Sequence, residues 1–280
     1  MEPITYKVRR AEDQSTLLDF IARHLSLSKR AAKAILDLRN ISVNGQRIWM
    51  ARHTLTVGDE VKVLAPPPRS KADKREKIEI LYRDNDYVIA NKPSGVLACG
   101  KSNSLEAILR TQLHTPELQA VHRLDRDTSG CLMFTFSEEA KARMVECFRA
   151  KTITKVYHAI VYDHMERGTQ RISKPLGGQT AISNARVLDT SRKASHVAVS
   201  IETGRTHQIR IHLASIRHPV LGDRKYATGL HLENTLAEIP RQMLHAYELR
   251  FFHPVTEAKI HARAPLPSDF KACLRAYKLT

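Results

Sequence analysis

One short segment of the chain places a carboxylate between two guanidinium groups. Residues 122–130 read HRLDRDTSG, so that Asp125 lies between Arg123 and Arg126, just before an apolar run at 131–136. A phosphate-rich substrate repels a carboxylate, and flanking arginines both attract the polyanion and keep the acid ionised. Asp, Thr, Ser and Gly are also common in a tight turn before a strand. Taken alone, the segment therefore leaves a reactive loop and a simple turn as equal alternatives.

A second segment changes this balance. Residues 202–213 read ETGRTHQIRIHL. Together, the two segments resemble the signature of the RluA-type pseudouridine synthases, and the NKPSG stretch at 91–95 resembles the first conserved stretch of that family. The resemblance runs from about Ile78 to the end of the chain. It implies an enzyme that breaks the bond from uracil N1 to the ribose in RNA, turns the base and joins C5 to the same carbon, with no cofactor.

The resemblance assigns three catalytic residues. Asp125 is expected to be the essential acid, because the family places it directly after His-Arg-Leu; it either attacks the anomeric carbon or removes the C2′ proton of the ribose. Asp127 is the rival, but its position favours bonds to backbone amides of the loop. Arg210 is expected to pair with Asp125 and so oppose the effect of desolvation on that acid. Tyr157 is expected to stack on the flipped base and to assist at C5.

Four further residues are expected to serve substrate binding. By the same resemblance, Arg123 enters the RNA helix that the flipped uridine vacates, Ile209 lies against the uracil, and His122 supports the loop. Arg205 is expected to bind phosphate, which sets affinity without reading sequence. Without the resemblance, an isoleucine or a strand tyrosine would simply be a core residue.

The chain has no pattern typical of a metal site. Among its fourteen histidines, His207 and His212 lie more than one helical turn apart on diverging faces, and no acid or cysteine completes a known ligand pattern. The four cysteines lack C-x-x-C spacing, so we expect reduced thiols rather than a zinc site or disulfides. Neither a metal nor a cofactor is predicted.

Composition and charge point to a nucleic-acid partner. The 280 residues carry a formal net charge of +16, which must meet something negative. A proline-rich and then highly charged stretch at 66–77 predicts a linker between two domains, at 1–65 and 78–280. The beginning of the chain has no apolar signal region and no stretch approaches the length of a membrane span, so a cytoplasmic, monomeric protein is expected.

The leading domain shows a specific order of elements. A helical pattern begins after Ser15 and Thr16, a second helix follows Ser28, an Asn-Gly hairpin signal spans 41–48, and a closing strand runs over 60–64. This order resembles the alpha-L RNA-binding fold found in a ribosomal small-subunit protein and in tyrosyl-tRNA synthetases. The basic stripe of that domain is Lys29, Arg30 and Lys33, which on an isolated helix would be an ordinary solvated face.

The large domain is predicted to be α+β, with a mixed, mostly antiparallel sheet, as the family resemblance implies. Strands are predicted at 87–90, 131–136, 156–161 and 197–201, and helices at 104–113, 138–149 and 206–216. Glycine-rich phosphate loops in regular βα alternation are missing from the sequence, which argues against a doubly wound nucleotide fold.

Three functions remain open on sequence alone. The first is a synthase acting on structured RNA, with large-subunit ribosomal RNA preferred over transfer RNA because of the leading domain. The second is a non-catalytic RNA-binding protein of ribosome assembly. The third treats residues 15–40 as a helix-turn-helix DNA reader in front of an unrelated hydrolase, which the hairpin directly after the second helix disfavours.

Overall fold

The computed structural model describes residues 4–25, 29–37, 41–63, 77–227 and 239–280. The described residues of the first 63 positions belong to one compact unit, the small unit, and those at 77–227 and 241–280 belong to a second, the large unit. Each unit has a hydrophobic core of its own. The predicted linker lies outside the described residues except for Lys77.

The described residues of the small unit form two α-helices, a short 3₁₀ helix (Arg10–Glu12) and a four-stranded antiparallel sheet in the order β1-β4-β2-β3. The elements are β1 (Ile4–Lys7), α1 (Leu17–His24), α2 (Lys29–Asp37), β2 (Ile41–Val43), β3 (Gln46–Arg47) and β4 (Glu60–Val63). The predicted hairpin is confirmed: Asn44 and Gly45 join β2 to β3 with φ values of 50° and 80°, the left-handed pair that a two-residue hairpin turn requires.

Local sequence explains where the first helix begins. Thr16 caps α1, since its Oγ1 accepts a hydrogen bond from the Asp19 amide at 3.2 Å. The predicted cap Ser28 and the end of the predicted closing strand, Leu64, lie outside the described residues. The apolar side of each helix packs into the core of the small unit through Leu17, Phe20, Ile21, Ala32, Ile35 and Leu36.

The large unit contains a mixed sheet, which the described residues build from ten strands. Along the main path the order is β10-β11-β12-β9-β13-β8-β6-β5, with β14 paired to β13 and β7 paired to β8. The strands are β5 (Ile80–Arg83), β6 (Tyr87–Lys92), β7 (Gln119–Ala120), β8 (Ser129–Thr135), β9 (Thr154–Tyr162), β10 (Thr169–Ile172), β11 (Ser183–Thr190), β12 (Ala194–Ile201), β13 (Leu244–Phe252) and β14 (Lys259–Arg263).

Four helices accompany this sheet in the described part of the large unit. They are α3 (Leu105–Leu113), α4 (Glu138–Arg149), α5 (Gln208–Ser215) and α6 (Ser268–Ala276). The α+β class is confirmed, because the described strands pair antiparallel except β8 with β13.

The four predicted strands correspond to β6, β8, β9 and β12, each with slightly different ends. The sequence did not reveal β10, β11, β13, β14 or α6, whose apolar residues are interrupted by charges. The third predicted helix was placed too early: α5 begins at Gln208 rather than at 206, since His207 has a left-handed φ of 56° and cannot continue a helix.

A close approach of two strands fixes the end of the HRLDRDTSG segment. Gly130 lies in β8, where it pairs with Ala246 of β13 in the parallel pair and with Lys92 of β6. Its φ is 110°, and an added Cβ would lie 2.1 Å from the carbonyl oxygen of Ala246. Only glycine fits at this position, which is where the chain passes from the loop at 122–128 into the centre of the sheet.

Candidate active site

The loop at 122–128 is held by hydrogen bonds from distant parts of the chain. The ammonium group of Lys92 donates to the carbonyl oxygens of Pro93 at 2.9 Å and Arg126 at 2.8 Å. The Gly95 amide also donates to Arg126 O, at 2.9 Å. Burial lowers the pKa of Lys92 to about 7. The NKPSG stretch therefore supports the backbone next to Asp125.

Two side chains from 241–242 support the other end of the loop. Arg241 donates from Nη1 to the carbonyl oxygen of Asp127 at 3.1 Å, and Gln242 donates from Nε2 to Thr128 Oγ1 at 2.8 Å. Arg241 is itself held by a bidentate ion pair with Asp269, at 2.7 and 3.0 Å. The loop is thus fixed by side chains that lie more than a hundred positions away.

His122 anchors the beginning of the loop to β8. Its Nε2 accepts a hydrogen bond from the Met133 amide at 3.2 Å, and its ring lies 5.2 Å from that of Phe148. Burial lowers the pKa of His122 to about 4, so the imidazole is neutral at neutral pH. This geometry agrees with a supporting position for His122.

The structure brings Asp125 and Arg210 into direct contact. Arg210 Nη1 donates to Asp125 Oδ2 at 2.9 Å, with 9% of the arginine side chain and 27% of the aspartate side chain exposed. Burial opposes the charged form of Arg210, but hydrogen bonds and charge from Asp223 and Asp125 outweigh it and raise the pKa of the guanidinium. The ring of Tyr226 lies 5.1 Å from the same guanidinium, in cation-π contact.

A second acid, which the sequence analysis missed, also binds Arg210. Asp223 accepts from Arg210 Nε at 2.6 Å and from Nη2 at 2.9 Å, and its side chain is fully buried. Its signal in the sequence is the placement of an acid in a Gly-Asp turn directly after the apolar pair Val220 and Leu221, because a buried acid needs a partner.

His207 lies beside the same ion pair. Its Nε2 is 3.7 Å from Asp125 Oδ1, and its Nδ1 shares a hydrogen bond of 2.8 Å with the hydroxyl of Tyr226. Burial lowers the pKa of His207, and the charge of Asp125 offsets this shift only in part. The lowered pKa favours a neutral ring. Within the described ranges, no group of three or more His, Cys, Asp or Glu side chains could hold a metal ion.

These residues line an open cleft with about 450 Å³ of empty space. Arg123, Asp125, Tyr157, Arg205, Ile209 and Arg210 contribute to its wall, together with Leu124, Thr128, Ile201, Gly204, His207, Gln208 and Leu244. One cleft therefore combines the Asp125–Arg210 pair with apolar side chains.

Tyr157 and Ile209 form part of the apolar surface of this cleft. Tyr157 lies in β9, opposite Val199 of β12 and Ala246 of β13, and is 9% exposed. Burial, and then the charge of Asp125, raise the pKa of its phenol, so the hydroxyl keeps its proton at neutral pH. Ile209 is 5% exposed.

One expectation about the loop is wrong. Asp127 does not bind backbone amides; in the described part of the chain its carboxylate accepts two hydrogen bonds from the Arg126 guanidinium, at 3.0 and 3.1 Å. The guanidinium that contacts Asp125 is that of Arg210, as expected, and Arg123 is exposed. The partner of Asp127 is thus a neighbour along the chain, whereas the partner of Asp125 is not.

The remaining predicted residues are placed as follows. Arg205 is exposed, and its amide donates to Gln208 Oε1 at 3.0 Å. In the small unit, Lys29 and Lys33 are exposed, and the Lys29 ammonium lies 2.7 Å from Asp19 Oδ1. The side chain of Arg30 lies outside the described residues.

Comparison with known proteins agrees with this geometry. A family model described as "RNA pseudouridylate synthase" matches residues 86–215. The ribosomal large subunit pseudouridine synthase D of Vibrio parahaemolyticus is 31% identical over 85% of this chain and 83% of its own. An uncharacterized RNA pseudouridine synthase of Bacillus subtilis is 30% identical over 96% of both chains.

Among solved structures, human RNA pseudouridylate synthase domain containing 4 has the same fold. Its TM-score is 0.61 at 24% identity, over 72% of this chain and 93% of that one. The sequence matches extend over most of this chain, including the loop of Asp125 and the helix of Arg210, and therefore place this protein in the RluA-type family of RNA pseudouridine synthases.

Proposed function

We propose that this synthase isomerises specific uridines of large-subunit ribosomal RNA to pseudouridine, with Asp125 as the reacting carboxylate. The named activity of the Vibrio relative supports this substrate, as does the net charge of +16. Transfer RNA is the competing substrate. Which uridine is modified depends on RNA shape, because specific RNA recognition targets loops and unstacked bases.

The observation that carries the proposal is the single hydrogen bond from Arg210 to Asp125 at the wall of the cleft. Asp125 Oδ1 accepts no hydrogen bond from the described residues, so this oxygen is available to a ribose. It can attack C1′ and displace the uracil as an anion, or it can take the C2′ proton and release the same anion. The base then turns. In the first route C5 displaces the carboxylate from C1′, and in the second C5 bonds to C1′ while C2′ regains its proton from Asp125. In both routes the C5 proton is finally lost while N1 gains one.

The apolar wall suits a base that has left its stack. Tyr157 and Ile209 offer an aromatic and an aliphatic surface for the uracil, and such enzymes hold a flipped base between side chains of this kind. Because the phenol of Tyr157 keeps its proton, its first role is contact with the base; assistance at C5 requires a change in that protonation state once substrate is bound.

RNA contacts are assigned to exposed cations. Arg123 at the cleft is proposed to replace the flipped uridine in its helix, with His122 fixing the loop from behind, and Arg205 is proposed to bind phosphate. The small unit is proposed to be an alpha-L-type RNA-binding domain within residues 1–65 that uses Lys29, Arg30 and Lys33. Five further expectations stay predictions: the linker, the catalytic domain at 78–280, a monomeric state, a cytoplasmic location and the lack of a cofactor. No helix among the described residues is long and apolar enough to cross a membrane.

The test uses total RNA from cells that lack this chain, since it contains ribosomal and transfer RNA without the modification. Purified wild-type protein is expected to form pseudouridine in large-subunit ribosomal RNA, mapped at single-nucleotide resolution. Asp125→Asn is expected to form none while binding RNA within a few fold of the wild type. Asp127→Asn is the matched control, because it alters a neighbouring acid that pairs with Arg126 instead.

The outcomes separate the alternatives. Modification of transfer RNA only would replace the proposed substrate. Pseudouridine formation by Asp125→Asn would overturn the proposed mechanism. RNA binding without any isomerisation by the wild type would favour a non-catalytic role in ribosome assembly.

A further inference from the structure

Arg210 divides its guanidinium between two acids unequally. Nε and Nη2 face Asp223 at 2.6 and 2.9 Å, whereas Nη1 alone contacts Asp125, at 2.9 Å. Bidentate arginine–carboxylate pairs are stronger and more directional than single contacts. The orientation of the guanidinium is therefore set by Asp223, and Nη1 contacts Asp125.

Asp223 is itself rigidly held. Its Oδ1 accepts hydrogen bonds from the amides of Lys225 at 2.9 Å and Tyr226 at 3.1 Å, in addition to the contact with Arg210. The preceding turn is bound to the sheet, since the Leu221 amide donates to Ile160 O at 2.8 Å. A fully buried carboxylate with these four hydrogen bonds has little freedom to move.

The unequal division has a consequence for Asp125. An arginine without its buried partner can turn and present two nitrogens to both oxygens of Asp125, which is the preferred geometry of an exposed pair. That arrangement would occupy Oδ1, the oxygen that accepts no hydrogen bond from the described residues and is proposed to react with the ribose. With Asp223 holding Nε and Nη2, the guanidinium stays in one position, where Nη1 alone contacts Asp125.

We propose that Asp223 is a positioning residue of the isomerisation, because its bidentate hold fixes the Arg210 guanidinium where it gives Asp125 one hydrogen bond and leaves Asp125 Oδ1 available to the substrate. This inference rests on the proposed role of Asp125. It predicts that loss of the Asp223 charge slows the chemical step and leaves RNA binding nearly unchanged, since Asp223 is fully buried and does not line the cleft.

The first measurement separates rate from binding. Single-turnover reactions with enzyme in excess over total RNA from cells lacking this chain give a maximal rate and a half-saturating enzyme concentration. Asp223→Asn is expected to lower the maximal rate about 100-fold, as misplacement of a reacting group does, and to change half-saturation by less than about threefold. A loss confined to half-saturation would overturn the proposal.

The matched control is Glu248→Gln. Glu248 has a 7% exposed side chain and pairs with Arg250 at 2.7 Å and Arg263 at 2.9 Å, so the change also removes an ion-paired charge from the same unit. Glu248 does not line the cleft, and the maximal rate of the Glu248→Gln variant is expected to stay within about twofold of that of the wild type. An equal loss in Glu248→Gln would show that any buried charge change slows the enzyme, and would overturn the proposal.

A double-mutant cycle tests whether Asp223 acts through Arg210. In Arg210→Lys, a single ammonium cannot present the planar fork, so adding Asp223→Asn is expected to cause little further loss. If the two losses multiply instead, Asp223 acts through folding or another contact, and the proposal fails. Failure of the underlying function is distinguished by Asp125→Asn: activity in that variant refutes the role of Asp125, whatever the cycle shows.

Discussion

The ammonium group of Lys92 in β6 donates a hydrogen bond of 2.8 Å to the carbonyl oxygen of Arg126, which lies 34 positions further along the chain. This hydrogen bond joins the NKPSG stretch to the loop of Asp125. The lysine is completely buried, and it is the burial that lowers its pKa to about 7. It therefore has consequences both for activity and for the pH dependence of stability.

Lys92→Met should release the loop and lower pseudouridine formation about tenfold, since misplaced reacting groups lose rate steeply. The pH dependence has a definite sign. Between pH 7 and the ordinary lysine pKa of 10.5, the unfolded chain holds a proton that the folded chain has lost, so stability rises with pH. In urea unfolding, the free energy of unfolding of the wild type should increase relative to that of Lys92→Met as pH rises, by at most about 1.4 kcal/mol per pH unit.

The control is Lys259→Met, which removes an exposed lysine of β14. Its stability relative to the wild type should not vary with pH in this range. A constant difference between wild type and Lys92→Met from pH 7 to 10 would contradict a lowered pKa at Lys92.

Gly130→Ala should strongly destabilise the large unit. The new methyl group would lie 2.1 Å from Ala246 O, so β8 and β13 must separate or bend. We expect a loss of about 3 kcal/mol in the free energy of unfolding, the upper end for overpacked sites. Gly100→Ala is the matched control: it has a positive φ of 84° but no atom within 4 Å of an added Cβ, so only backbone strain remains. Equal losses in the two variants would contradict a steric cause.

Removing the basic stripe of the small unit should flatten the salt dependence of RNA binding. Lys29→Ala combined with Lys33→Ala removes two exposed cations, and each phosphate that is no longer neutralised should lower the slope of log affinity against log salt by about 1. Filter-binding titrations between 50 and 300 mM salt, roughly the range in which counterion release is measured, give the slope. The control changes two other exposed lysines, Lys193 and Lys259, to Ala. An unchanged slope in the variant that lacks Lys29 and Lys33 would place the RNA contacts elsewhere.

Acid should destabilise the large unit through His245. This histidine is completely buried between Ser129 Oγ at 2.9 Å and Ala264 O at 3.1 Å, and burial lowers its pKa to about 4. As pH falls from 6.5 towards 4, the unfolded chain takes up a proton that the folded chain refuses, and stability is lost. His245→Asn lacks this effect, so the difference in free energy of unfolding between the wild type and this variant should shrink in acid. The control is His114→Asn at an exposed position, for which the difference should stay constant.

Local pattern was sufficient for part of the fold. The four predicted strands consist largely of β-branched and aromatic residues, and the Asn44-Gly45 turn allows few alternatives. The β11 and β14 strands were missed since charged residues interrupt their apolar positions, and pairing with β12 and β13 overrides their weak local preference. The start of α5 was misplaced because a left-handed residue at His207 has no local sequence signal.

The sequence by itself determined which chemical groups are present: an acid in a basic loop, an arginine on a helix and a tyrosine in a strand. Only the tertiary structure decided how the charges pair. With 45 basic and 29 acidic residues, the chain offers many possible ion pairs. Arg126 binds its neighbour Asp127, whereas Arg210 joins two acids that are distant in sequence, Asp125 and Asp223. Burial selects among these pairs, since a charge removed from water requires a partner at hydrogen-bonding distance, and the sheet determines which groups come that close.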